Sequence, residues 1–162
     1  MNTSLPPSAQ RVQDAAEKLG LTVIIREMPQ STRTAEEAAA ACECAVGQIV
    51  KSLVFQGAAS GEPYLLMVSG ANRVDQEGVS RSIGEPLSRP DAAKVRAWTG
   101  YAIGGIPPFG HDTAMKTFID KDLLAYDTVW AAAGTPQCVF SVDPRTLARA
   151  IGAAAIPMSP SA

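Results

Sequence analysis

The chain has 162 residues, of which 46% are hydrophobic and 19% charged, with a formal net charge of −2. This is enough chain for one globular domain with a real core and too little for two comfortable ones. Near-neutral charge excludes a protein that coats nucleic acid by bulk electrostatics, which needs many clustered cations, and leaves open a small nucleic-acid footprint.

The opening MNTSLPPSAQ has no basic start followed by an apolar run, and no segment is apolar for long enough to span a bilayer. Export and membrane roles are not expected. Pro7 and Ser8 precede Val12, Ala15, Ala16 and Leu19, one apolar stripe at helical spacing that Gly20 closes. Leu21, Val23 and Ile25 alternate with Thr22, Ile24 and Arg26 as a strand buried on one side would. Thr34 stands three residues before Glu37, a capping box opening the alanine-rich stretch 35–44, which Gly47 is expected to end.

Within that stretch Cys42 and Cys44 read as small helix residues rather than nucleophiles. With Cys138 they make an odd set of three lacking a second Cys/His pair at zinc spacing, so neither a disulfide framework nor a metal site is expected. A reducing cytoplasm is the expected setting.

LVF at 53–55 and PYLLMVSG at 63–70 read as two strands of a hairpin joined by Gly-Ala-Ala-Ser-Gly. Residues 72–99 are polar and broken by Gly78, Gly84, Pro86 and Pro90, with one helix from the Asp91 cap to Trp98. MKTFID, TVWAAAG and QCVFSV are three further strand-length segments. Asp143 and Pro144 start a closing helix through Leu147 and Ile151, and the tail IPMSPSA is expected to fray. Such an order lacks the regular alternation of a doubly wound sheet. The expected fold is α+β in a single domain, a mixed, partly barrel-like β-sheet flanked by helices, with its core at about 7–155.

Two features could carry chemistry. The segment GYAIGGIPPFGH at 100–111 holds four glycines, two adjacent prolines and the only histidine, His111. Glycine lets a ligand approach the main chain and proline stiffens its neighbours, so this loop could present amides to an anion or oxyanion. It could equally be a glycine-rich barrel corner followed by an exposed histidine. Lys51 lies within QIVKSLVF among Ile49, Val50, Leu53, Val54 and Phe55, a poor place for an ammonium unless it reaches water or an anion. Snorkelling at a strand entrance explains it as well.

In order along the chain, QIVKSLVF, PYLLMVSGANRVD, TGYAIGGIPPFGHD, TFIDKDLLAYDTVWAAAG and DPRTLARAIGA resemble the YbaK/prolyl-tRNA synthetase-associated domain family, free-standing relatives of a synthetase's editing insertion. The resemblance implies trans-editing: hydrolysis of the ester joining a wrong amino acid to the 3′-terminal ribose of a tRNA, typically that for proline. It implies no cofactor, and as partners the acceptor end of aminoacyl-tRNA and a transiently associated synthetase, with no membrane and no DNA. By position, Lys51 matches the family's functional lysine, and Gly104, Gly105, Ile106, Pro107 and Pro108 match its Gly-x-x-x-Pro loop, which Phe109 and Gly110 extend along the substrate. His111 falls where some members have histidine. Asn72 and Asp75 fall in the family's polar turn, in a supporting role.

On this reading Lys51 binds the terminal phosphate, amides around Gly104 and Gly105 hold the carbonyl or its tetrahedral intermediate, and His111 orients water or a ribose hydroxyl. Some of Arg73, Arg81, Lys94 and Arg96 meet further phosphates. The cysteines are not expected to take part. One histidine without a serine partner makes no triad, so activation draws on the substrate. A non-catalytic module that captures a tRNA end, and a hydrolase of another small ester, are the competing readings.

Overall fold

The computed structural model describes residues 5–160. Helix α1 (Pro7–Lys18) begins with proline, where a missing N–H has no intrahelical partner to lose, and buries Ala9, Val12 and Ala16. Leu21, Val23 and Ile25 then alternate in burial with exposed neighbours as expected, yet ladder pairing is confined to β1 (Arg26–Glu27).

Helix α2 (Ala35–Cys42) carries the expected capping box: Glu37 N–H donates to Thr34 Oγ1 and Thr34 N–H to Glu37 Oε1, both at 3.1 Å. It ends on Glu43, in left-handed backbone at φ 55°, and not at Gly47. Gly47 serves packing instead, since a Cβ there would lie 2.3 Å from Tyr126 Oη.

Strands β2 (Ile49–Gly57) and β3 (Pro63–Ser69) form the antiparallel hairpin, in register from Val50 opposite Ser69 to Gln56 opposite Pro63. Every residue of β3 is buried, which is why its sequence is continuously apolar rather than alternating. Helix α3 (Gln76–Ile83) was not legible, because Gly78 and Gly84 read as breakers; Gly78 sits inside it and Gly84, at φ 104°, is its left-handed stop.

The chain continues through β4 (Leu87–Ser88) and α4 (Ala92–Thr99), whose first turn is closed by Lys94 N–H donating to Asp91 Oδ1 at 2.8 Å. After the glycine-proline loop come β5 (Lys116–Asp120), β6 (Val129–Ala132), β7 (Cys138–Val142), α5 (Pro144–Ile151) and β8 (Ala154–Ile156). Asp143 caps α5 by accepting from the amides of Arg145 and Thr146.

The strands form one mixed sheet in the order β1-β7-β6-β2-β3-β5-β8, with β4 also on β2. Pairs β2/β6, β3/β5 and β5/β8 are parallel and the others antiparallel. The tail departs from the expected fraying. Strand β8 extends the sheet beside β5, Met158 is buried, and its carbonyl accepts from Asp75 N–H at 2.7 Å. Residues 1–4 and 161–162 lie outside the described residues.

Both sheet faces are covered. One core joins α1, α5 and Val50, Val54, Leu65, Met67 and Phe140; the other joins Phe55, Leu66, Val68, Val79, Leu87 and Met158. Among the described residues no helix is long and apolar enough to cross a membrane.

One irregularity of the sheet positions the site. The β2 edge facing away from β3 pairs with β6 only at Ile49 and Val50 and with β4 only at Gln56 and Gly57. Between those contacts no described strand covers it. Gly57 N–H points toward the β3 side and Ala58 N–H to Pro86 on the other, so by the two-residue period Ser52 and Val54 aim their main-chain groups at the uncovered edge.

Candidate active site

A cavity of about 290 Å³ opens at that gap. Its walls come from the start of α2 (Thr34, Ala35, Ala38), from β2 between Ile49 and Val54, and from Trp130, Ala131 and Ala132 of β6. Ile103, Gly104 and Ile106 of the glycine-proline loop close it. Lys51 and the Gly-x-x-x-Pro loop, 53 positions apart by number, therefore line one hollow.

Lys51 is half-buried on β2, and its Nζ donates to the carbonyl oxygen of Asn72 at 2.5 Å. Asn72 is held in turn: its amide donates to Asp120 Oδ2 and Asp122 Oδ2, both at 2.8 Å. Asp120 is fully buried at the end of β5 and also accepts from Ser69 N–H and Asp122 N–H, each at 3.0 Å. A buried carboxylate thus fixes the turn whose carbonyl aims the lysine. Burial pulls the Lys51 pKa below its ordinary value; Glu36 and Asp120 oppose that shift and Arg73 adds to it. Asn72 supports Lys51 and is not among the cavity's lining residues.

The loop is shaped by its own bonds. Gly105 N–H donates to Ala102 O at 3.0 Å and Gly105 O accepts from Gly134 N–H at 2.9 Å, so the Gly105 amide is already engaged. The amides of Gly104 and Ile106 donate to no described residue. Gly104 adopts φ 98°, a conformation that costs glycine little. The donors available to a carbonyl oxygen are therefore those of Gly104 and Ile106 rather than the expected Gly104 and Gly105, with the uncovered amides of Ser52 and Val54 across the gap.

Pro108, Phe109, Gly110 and His111 lie elsewhere, lining a second hollow of about 370 Å³ against Lys18, Leu19, Thr117 and Ile151. Pro107 is buried and lines neither hollow. His111 Nε2 is 2.7 Å from Pro107 O, which requires Nε2 to carry the proton and donate. The histidine staples the back of the loop and is not brought to the Lys51 cavity. Arg11 fastens the same segment, with Nη2 donating to Gly110 O at 2.9 Å and to Asp112 Oδ1 at 2.6 Å.

Burial pushes the His111 pKa down, the Pro107 carbonyl and Asp112 resist, and Arg11 assists. A lowered value means that the unfolded chain takes the proton more readily than the folded one. This contribution to stability is then intact above the ordinary imidazole value of 6.5 and is lost as pH falls below it. His111→Gln keeps an N–H for Pro107 and removes the titration. Urea unfolding at about pH 7.5 and about pH 5 should show a smaller acid loss for the variant than for the parent; equal losses would place the titration elsewhere.

No cysteine lines the Lys51 cavity, and burial raises all three thiols, Cys42 to about 11, leaving them protonated at neutral pH. Of the cations proposed from sequence, Arg73, Arg81, Lys94 and Arg96 line no part of the cavity, although Arg73 is near enough to Lys51 to help lower its pKa. Arg33 and Arg89 do line it. Nothing in their sequence neighbourhoods distinguished them from other surface arginines. Among the described residues no group of three or more His, Cys, Asp or Glu could hold a metal ion.

The family model for the aminoacyl-tRNA editing domain matches residues 29–150, most of the chain and all of the Lys51 cavity. The chain belongs to the aminoacyl-tRNA editing domain family. Within it, a solved candidate trans-editing enzyme for prolyl tRNA synthetase superposes with TM-score 0.91 at 48% identity, covering 98% of this chain and 100% of that one. The uncharacterized protein YwhH of Bacillus subtilis (strain 168) is 28% identical over 124 residues, 76% of this chain and 78% of the relative. The proline–tRNA ligase of Nitratidesulfovibrio vulgaris (strain DP4) is 29% identical over 101 residues, 61% of this chain and only 17% of the ligase. The editing-domain match therefore covers a small part of that ligase and most of this chain.

Proposed function

We propose that this protein is a trans-editing deacylase that hydrolyses the ester between a wrongly attached small amino acid and the 3′-terminal ribose of tRNA, with tRNA for proline as the favoured carrier. Family membership and the likeness to a proline–tRNA ligase segment and to a candidate trans-editing enzyme support it. The single observation that carries it is the sharing of one cavity by the Lys51 ammonium and the unengaged Gly104 amide.

In this reading Lys51 anchors the terminal phosphate, and the Gly104 and Ile106 amides receive the carbonyl oxygen as it gains charge. The attacking oxygen adds to the carbonyl carbon, the bond to the ribose oxygen breaks, and that oxygen takes up a proton. No histidine or carboxylate lines the cavity to act as general base. Proton transfer thus falls to the substrate's own amine or hydroxyl groups. An apolar wall of Val50, Val54, Val95, Ile106 and Val139 in a space of about 290 Å³ limits the amino acid to a small one. The proposed setting is the cytoplasm, with a synthetase as a transient neighbour.

The test is a panel of small amino acids charged on tRNA for proline and on one unrelated tRNA, at substoichiometric protein. Release of free amino acid in multiple turnovers, favouring the proline tRNA, is expected. Capture without turnover would replace this reading with the binding module that a cavity lacking a general base also suits. Equal turnover of a minimal aminoacyl-adenosine would replace it with a small-ester hydrolase.

A further inference from the structure

The lining of the Lys51 cavity is apolar except for a few groups, and its charged side chains are Arg33, Lys51 and Arg89, with no carboxylate among them. In a chain with more acidic than basic residues this is a local reversal of sign. Arg33 and Arg89 are exposed and form no ion pair or side-chain hydrogen bond with a described residue. Each also lies against a close neighbour. Arg33 runs its aliphatic stem so close to Gly104 that a Cβ there would lie 2.9 Å from Arg33 Cγ. The Arg89 guanidinium lies 4.7 Å from the Phe55 ring centroid. One guanidinium is thus tied to the proposed oxyanion loop and the other to the far end of β2, with Lys51 on the strand between.

A space of about 290 Å³ holds a small aminoacyl group and its sugar, and the remaining nucleotides must cross the rim. We propose that Arg33 and Arg89 form a clamp at the mouth that grips the phosphates of the single-stranded 3′ end of the RNA beyond the terminal one, leaving the terminal phosphate to Lys51 and the ester to the loop. Arginine suits this role because its planar fork binds phosphate oxygens in pairs and stays charged throughout the working pH range. Phosphate contacts of this kind set register and carry no base preference, so the clamp reads the RNA as a backbone.

This inference rests on the editing reading, and two substrates separate the failure of one from the failure of the other. Aminoacyl-tRNA for proline carries the phosphates, whereas the same amino acid on adenosine carries none. For Arg33→Gln and Arg89→Gln in the full chain, the ratio of kcat/KM on the tRNA to that on the adenosine ester should fall about tenfold each, with the loss in KM, because a phosphate contact is ground-state binding. Binding of uncharged tRNA for proline, titrated against NaCl, should lose about one unit of log–log slope per arginine removed. Equal losses on both substrates, or an unchanged salt slope, would overturn the clamp. Should the parent release amino acid from neither substrate, the deacylase reading fails, and the uncharged-tRNA titration still decides the clamp.

Discussion

Replacing Lys51 by alanine lowers kcat/KM on mischarged tRNA by about 10² to 10³-fold, the loss found when one preorganised charge or donor is taken from a catalytic site. Stability is expected to move in the opposite sense or not at all. The ammonium sits among apolar neighbours of β2, and the downward pull on its pKa is led by burial, so folded surroundings disfavour the charge on balance. A lysine whose pKa is lowered on folding costs stability while it is protonated, and this cost is relieved only as pH rises through the folded value. Alanine removes that cost together with one hydrogen bond to the Asn72 carbonyl, which water can replace at a half-exposed position. The expected outcome is therefore an inactive variant whose thermal midpoint equals or exceeds that of the parent. An active variant would remove Lys51 from the mechanism, and an inactive one that melts far earlier would show a structural lysine.

How much of this could be read from the chain varies with the range of the interaction that fixes each part. The α2 cap was legible because Thr34 and Glu37 are three residues apart and satisfy each other locally. The hairpin and the closing helix were legible for similar reasons, an uninterrupted apolar strand and an Asp-Pro start. Positions that answer to distant neighbours were not. Gly47 resembles a helix stop, yet what occupies the space beside it is the hydroxyl of Tyr126, 79 positions on. The tail past 153 has the composition of a loose end, and β5 converts it into a strand.

The site divides in the same way. Lys51 and the Gly-x-x-x-Pro loop carried a recognisable pattern and line one cavity. His111 follows that loop closely in sequence but lies behind it, because the turn closed by Gly105 N–H and the buried prolines send the next residues against α1 and α5. Asp120 was read only as part of a strand-length segment, although it organises the Asn72 turn through two bonds, from Ser69 N–H and the Asn72 amide. Arg33 and Arg89 are two among 14 cations, and only folding selects them.

Gly105→Ala should damage stability and turnover together, because the added methyl meets main chain and not a side chain. A Cβ at Gly105 would lie 2.8 Å from Thr135 N and 2.9 Å from the carbonyl carbons of Gly134 and Thr135, all of them backbone atoms. Gly134 has no room to retreat, because a Cβ on it would meet Ser8 O of α1 at 2.6 Å and its own φ is 95°. The strain can be relieved only by lifting the loop off the 134–135 turn, which breaks the bond from Gly134 N–H to Gly105 O. Overpacking of this kind costs about 1–3 kcal/mol, and the lost buried hydrogen bond adds about 1 kcal/mol. The lift also carries the Gly104 and Ile106 amides away from the carbonyl they are proposed to receive, and a displacement of about 1 Å lowers turnover by about 10²-fold. Gly104→Ala is the informative contrast. Its Cβ would meet the flexible stem of Arg33 rather than main chain, so its cost is mainly the left-handed backbone, about 1–2 kcal/mol. Urea unfolding and kcat/KM on one substrate, measured for both variants, should rank Gly105→Ala as the worse in stability. The reverse order would mean that the loop is held by its dihedrals and not by its seat against residues 134–135.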